Sequence, residues 1–280
     1  MGHNHSHNHS KSSNIAVAFF LNFGFAILEI FGGIITRSVA IMSDAVHDFG
    51  DSLTLGLSWI FEKKAKKKPD EKYTYGYKRL PVVGALINIL VLSLGTAFVI
   101  YKAINAIITP NEVMSKGMFI LSIFGILTNG LAVFRMKGSK KLLDKTVMLH
   151  LLEDLLGWIA VFIVSIIIYF TNFYLLDPIL SLCISVFLII NIYNNVKESI
   201  VIIMQASPNK GLTKEIENEL LGIEGVKEIQ QLHIWSFDGE ENVLTVKIVI
   251  DDNTNRENLL NDAKQLLKEK NINQTTIEIG

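Results

Sequence analysis

The stretch VAIMSDAVHDFGDSLTLGLSWIF, Val39–Phe61, decides the reading of this chain. It is apolar over most of its length and, at about 1.5 Å per helical residue, long enough to cross a hydrocarbon core of about 30 Å. Yet it carries Asp44, His47, Asp48 and Asp51. At about 100° per residue these four fall on one arc roughly 100° wide. An ionised side chain at the centre of a bilayer costs about 2.5–3.5 kcal/mol even on the lower scales. A spanning helix with such a stripe must turn it away from lipid, toward other protein or water.

The rest of the chain places this helix among others. Of 280 residues, 50% are hydrophobic and 19% are charged, where a soluble domain is about 25% charged. The mean hydropathy is positive. Six apolar stretches stand out: Ile15–Thr36, Val39–Phe61, Leu80–Tyr101, Met118–Met136, Val147–Phe170 and Tyr174–Tyr193. Each approaches the length of a spanning helix, the form that satisfies its own backbone in lipid. The single cysteine, Cys183, excludes an internal disulfide framework and a Cys-rich zinc module. The first ten residues are polar and His-rich, without the early apolar run of a secretory signal.

Six spans put both termini on one side, and Lys and Arg say which. Segment 62–79 holds Lys63, Lys64, Lys66, Lys67, Lys68, Lys72, Lys78 and Arg79. Segment 135–145 adds Arg135, Lys137, Lys140, Lys141 and Lys145, and Lys11 and Lys197 flank the first and last spans. The opposite side has Arg37, Lys102 and Lys116. This bias predicts cytoplasmic termini and a multi-pass protein of the cytoplasmic (plasma) membrane. Topology accounts for the lysine run, so a nucleic-acid partner is not expected.

After Pro208 the texture changes. Residues 209–280 carry 8 Lys/Arg against 14 Asp/Glu, −6 in a chain of net charge −1. Gly211–Leu221 reads as an amphipathic helix with Ile216, Leu220 and Leu221 on one side. Val226–Trp235 and Asn242–Ile250 read as strands, the second with Leu244, Val246, Ile248 and Ile250 on one face. Asp238-Gly239 marks the turn between them. Asn255–Lys270 is helical and Thr275–Ile279 is a last strand. The expected fold class is therefore a membrane α-helical domain of six transmembrane helices plus a small α+β domain, αββαβ and ferredoxin-like. The domains are a His-rich tail (1–13), the membrane domain (14–208) and a cytoplasmic C-terminal domain (209–280). About 70 residues make a marginal core, which dimerisation would help.

The fifth span repeats the stripe of the second. His47-x-x-x-Asp51 has its counterpart in His150-x-x-x-Asp154, and Glu153 shares the arc. Residues i and i+4 project from adjacent turns of one face. Two such helices packed together supply two imidazoles and two carboxylates, a donor set that tetrahedral Zn²⁺ takes. Mg²⁺ and Ca²⁺ prefer all-oxygen sites. Co²⁺, Cd²⁺, Fe²⁺ and Mn²⁺ stay open, because affinity order alone does not choose among them. Asp44, Asp48 and Glu153 are assigned to orienting the histidines or lining a hydrated vestibule. Glu29 and Asp177 are divided between structural and functional roles. The depths of the two motifs agree only if the fifth helix starts before Val147. The tail histidines His3, His5, His7 and His9 read as a metal-capture arm. His233, alone in the soluble part, reads as a sheet or interface residue and only weakly as a ligand.

These residues carry a family resemblance. The paired motifs, SDAVHDFGDS (43–52), YTYGYKR (73–79), Asp177-Pro178 and LHIWS (232–236) together resemble the cation diffusion facilitator family, from about residue 13 onward. The resemblance implies a secondary active transporter, not an enzyme. It implies a homodimer that exchanges cytoplasmic divalent metal, zinc above all, for external protons by alternating access. It also implies that His47, Asp51, His150 and Asp154 hold the transported metal, with no prosthetic group. The chain departs from the family where many relatives read HDLH and this one reads Gln230-Gln231-Leu232-His233. Gln274-Thr275 stands where many have a histidine, and segment 62–79 has none. The glutamines weaken a metal site in the cytoplasmic domain, and the histidine-free segment 62–79 weakens the loop site of some members. The rival reading is a membrane-anchored metal sensor that binds without transport.

Overall fold

The computed structural model describes residues 7–65, 67–136, 142–272 and 274–280. Six long helices come first: α1 (His7–Thr36), α2 (Val39–Ala65), α3 (Leu80–Ile108), α4 (Ser115–Met136), α5 (Leu142–Thr171) and α6 (Leu176–Ile203). Among the described residues five helices are long and apolar enough to cross a membrane. The one left out is α2, and the reason is its acidic stripe: the polar groups lower its hydropathy, not its length. Every helix is longer than its apolar stretch. In particular α5 begins at Leu142, five residues before Val147, as the matching of the two motifs in depth requires. Leu90, Leu94, Phe134 and Phe170 are exposed, as lipid-facing side chains are.

Two compact units are resolved by contact within the chain. One holds the residues up to Trp59 together with Ile87–Tyr193; the other joins Ile60–Leu86 to Asn194–Gly280. The basic loop and the ends of α2, α3 and α6 thus group with the soluble part, a division that sequence texture does not mark.

In the first unit the entry to α2 is built with care. Arg37 turns the chain in the left-handed region at φ 58°. The next three orphan N–H groups then all find acceptors. Val39 N–H donates to Asp177 Oδ2 at 2.7 Å and Ala40 N–H to Oδ1 at 3.3 Å. Ile41 N–H donates to the hydroxyl oxygen of Ser38 at 3.1 Å, and that hydroxyl in turn donates to Asp177. Asp177 is fully buried, so it is a structural cap delivered from α6 to the helix bearing the first motif. Nearby, α4 approaches α5 where Gly125 faces the buried ring of Trp158; a Cβ at Gly125 would overlap the indole.

In the second unit the order is α7 (Leu212–Leu221), β1 (Val226–Ser236), β2 (Asn242–Ile250), α8 (Arg256–Glu269) and β3 (Gln274–Ile279). The sheet runs β1-β2-β3, antiparallel then parallel. Leu244, Val246, Ile248 and Ile250 form its buried face, against Ile216 and Leu220 of α7 and Leu259, Ala263 and Leu267 of α8. Leu221, expected on that side, is 41% exposed, because at about 100° per residue it stands roughly 140° round the helix from Ile216. Asn255 caps α8 by accepting from the N–H groups of Glu257 and Asn258. The β1–β2 turn is closed by Asp238 Oδ1, which accepts from the N–H groups of Glu240 and Glu241, and Gly239 takes φ 98°.

The basic loop has its own order. Asp70 accepts from the N–H of Tyr73 and the hydroxyl of Tyr77, which hold its carboxyl below the usual carboxylate range. Further on, Lys78 pairs with Glu241 and lies 5.5 Å from the Phe237 ring centre, while Tyr75 packs on the same ring at 5.1 Å. The turn of the hairpin is thereby fastened to the loop.

Two substitutions test this packing. Asp177→Ala strips the acceptors from the α2 entry and is expected to destabilise the protein by about 1–3 kcal/mol. Gly125→Ala forces α4 off Trp158, at about 1–3 kcal/mol for overpacking. Thermal unfolding of the purified protein checks both.

Candidate functional site

The HxxxD motifs of α2 and α5 meet. His150 Nε2 lies 3.1 Å from Asp51 Oδ2, across the helix pair. His47 Nε2 lies 3.9 Å from Asp154 Oδ1, also across it. Within each helix the i,i+4 pairs close at 3.6 Å for His47–Asp51 and 3.8 Å for His150–Asp154. Each imidazole is therefore within 4 Å of both carboxylates. The two rings stand 5.8 Å apart at 78°. Donor atoms of His47, Asp51 and His150 all lie within 4.8 Å of one another, and Asp154 joins that set through both imidazoles.

These distances suit a small cation. Four ligands at roughly 2.0–2.2 Å around tetrahedral Zn²⁺ stand roughly 3.3–3.6 Å from each other. The observed separations, 3.1 to 3.9 Å, bracket that range. The donors are also unspent. His47 Nε2 and Asp154 Oδ1 are buried and have no hydrogen-bond partner. Leaving such atoms bare costs free energy that a bound cation would recover.

The surrounding acids fall into two groups. Asp44 is 6% exposed and Glu153 is exposed, and both line a cavity of about 220 Å³ beside the cluster, with His47, Asp154 and Gly157. Asp48 is buried on the other flank, where its neighbour is the carboxylate of Glu29 from α1. Glu29 is 3% exposed and neither of its oxygens has a hydrogen-bond partner. One acid in an apolar run could not be told from a structural residue; its packing against Asp48 is a tertiary fact. Sequence reasoning also passed over Cys183 and Gly157, which share the Asp44 cavity. The only available signal was a lone thiol within a span.

Elsewhere the expected residues stay apart. His233 is exposed on β1 opposite Thr245. The register slips between Gln230 and His233, with Gln231 at φ 51°, a bulge that re-aims the strand. No other group of three potential ligands gathers among the described residues. His3 and His5 lie outside the described residues; His7 and His9 fall in the first turns of α1, with side chains outside the description.

Comparison with known proteins gives this geometry its context. Residues 15–204 match the cation efflux transmembrane domain, and residues 208–279 match the cytoplasmic domain of cation efflux proteins. The chain belongs to the cation efflux family, the cation diffusion facilitators. It is a multi-pass membrane protein. It is 32% identical to the cadmium, cobalt and zinc/H(+)-K(+) antiporter of Bacillus subtilis, over all of this chain and 92% of that protein. It is 30% identical to the metal cation efflux system protein CzcD of Cupriavidus metallidurans, over 99% of this chain and 89% of that one. It is 32% identical to the zinc transporter ZitB of Pectobacterium atrosepticum, over 100% and 89%.

Asp51 is the hub of the cluster, within 3.6 Å of both histidines. Calorimetric titration of Asp51→Ala with zinc is expected to show affinity lowered by more than roughly a hundredfold, beyond the range for a supporting residue. Glu153→Ala, at the exposed rim, is expected to stay within roughly tenfold.

Proposed function

We propose that this protein exports divalent metal ions, Zn²⁺ first among them, from the cytoplasm in exchange for protons. The observation that carries the reading is that the imidazoles of His47 and His150 each lie within 4 Å of both the Asp51 and the Asp154 carboxylates, with buried donor atoms left unpartnered. The family and the names of its relatives support it: they are efflux proteins and antiporters for zinc, cadmium and cobalt. It is a secondary transporter; the metal is cargo and the proton is the coupling ion.

The chemistry supplies the coupling. Zinc binds neutral imidazole and ionised carboxylate, so protons and metal compete for the same atoms. Histidine changes charge near pH 6.5. Metal taken from a neutral cytoplasm releases protons; the same site opened outward meets protons that displace the metal. No separate proton path is needed. Two imidazoles in the set favour zinc over hard cations.

The Lys/Arg bias supports termini in the cytoplasm and a plasma-membrane location. The tail at 1–13, membrane domain at 14–208 and cytoplasmic domain at 209–280 remain the working division. Two soluble domains of −6 charge each would meet in a homodimer, where cations screen their repulsion. The tail histidines act as a capture arm for cytoplasmic metal.

Proteoliposomes test the reading. Zinc uptake is expected under an imposed pH gradient and lost in Asp154→Ala. Equal uptake with and without the gradient, at matched membrane potential, would rule out antiport. Silence in transport with intact zinc binding would favour a metal sensor. Zinc affinity of the detergent-solubilised chain is expected to fall as pH drops from about 8 to about 6, because protonated imidazole cannot ligate; a flat profile would argue against histidine ligation.

A further inference from the structure

At the end of the bundle away from the basic loops, α4 and α5 leave a groove of about 540 Å³ between them. Its mouth is polar. Lys116, in the first turn of α4, holds its ammonium 5.8 Å from the ring centre of Tyr169, in the last turn of α5. Its floor is apolar. Ile120 and Ile166 lie one turn deeper than Lys116 and Phe170, roughly 6 Å further from the helix ends. Phe119 lines the groove and stacks on Phe162 at 5.1 Å. Ser165 is the one polar side chain of the described lining at that depth, and its hydroxyl donates to the carbonyl oxygen of Phe162 at 2.7 Å.

The lysine at the mouth is not explained by the rest of the molecule. Lys116 has no carboxylate partner among the described residues. With Arg37 and Lys102 it is one of three basic side chains on its side of the bundle, the side that Lys and Arg avoid, so orientation in the membrane does not ask for it. The groove also opens outward. Ile120 is 66% exposed and Phe170 is 77% exposed, so what meets them in a multi-pass protein is lipid.

We infer that this groove is a binding site for one phospholipid with an anionic headgroup. The phosphate lies against Lys116, and an acyl chain descends past Ile120 and Ile166. The order of the lining carries the inference: a cation at the membrane–water level with hydrocarbon beneath it matches an amphiphile of opposite charge. A free anion leaves the floor unused, and a zwitterionic lipid leaves the charge of Lys116 unmatched. A protein helix, about 10–12 Å across, is too wide for so small a space. Tyr169 completes the mouth as aromatic rings do at a membrane interface, and the lysine stem runs along the apolar wall with its charge toward the headgroups. The lipid bridges α4 and α5 at a level about 22 Å along α5 from Asp154. The site therefore stands apart from the four-donor cluster and does not depend on which ion is carried.

Native mass spectrometry of the purified full chain tests the site. The probes are dioleoyl phosphatidylglycerol, which is anionic, and dioleoyl phosphatidylcholine, which is zwitterionic and has the same acyl chains. One phosphatidylglycerol per chain is expected to bind more tightly than phosphatidylcholine. Lys116→Gln is expected to cut that preference by roughly fivefold, the worth of one lysine at an anionic lipid surface. Lys102→Gln removes a lysine on the same side but outside the groove, and is expected to leave the preference unchanged. Ile120→Trp fills the groove from an exposed position and is expected to weaken both lipids. No preference in the native chain, a preference that survives Lys116→Gln or falls as far in Lys102→Gln, or lipid binding indifferent to Ile120→Trp would each overturn the site. Displacement of the lipid by inorganic phosphate would overturn it too, since that marks a site for a free anion.

Discussion

Everything in the membrane unit answers to one constraint: ionisable groups buried in an apolar bundle must face each other. His47 and Asp51 on α2 and His150 and Asp154 on α5 do so, each imidazole within 4 Å of both carboxylates. Either helix alone would bear a bare acidic stripe at several kcal/mol per group. Together they make a small polar volume whose unsatisfied atoms point inward. Such a volume is unstable to emptiness and receptive to cations. That is the physical basis for reading it as a cargo site.

The supporting structure keeps α2 and α5 in place. Asp177 and Ser38 satisfy the first N–H groups of α2, fixing where that helix begins and which way its stripe faces. Gly125 lets α4 lie against Trp158 of α5. Rigid anchoring matters because four donors must hold their separations to within a few tenths of an ångström to suit one ion and reject others. In the second unit the hairpin turn is tied to the basic loop by Lys78, Tyr75, Phe237 and Glu241. Those contacts join a loop between spans to the soluble sheet within one compact body.

Much of this was legible in the sequence because it depends on local period. The i,i+4 spacing fixes that His47 and Asp51 share a face, and alternation along β2 fixes its buried side. The strand and helix order of the soluble part follows from the same two periods. What the sequence withheld were facts of packing. Glu29 against Asp48, the cap from Asp177, and the cavity shared by Cys183, Gly157 and Asp44 all join residues distant in the chain. The early start of α5 at Leu142 lay beyond the apolar run, yet matching the two motifs in depth already required it. Leu221 is a different case: at about 100° per residue it stands roughly 140° round the helix from Ile216 and so belongs to the other face.

The central claim is that α2 and α5 jointly ligate the cargo with two nitrogens and two oxygens. X-ray absorption at the zinc edge measures that shell directly, on the native chain loaded with one equivalent of zinc. The account predicts four nearest neighbours, two of them imidazole, at roughly 2.0–2.2 Å, and a changed shell in His150→Ala. A six-oxygen shell, or a spectrum unaltered by the loss of His150, would contradict it.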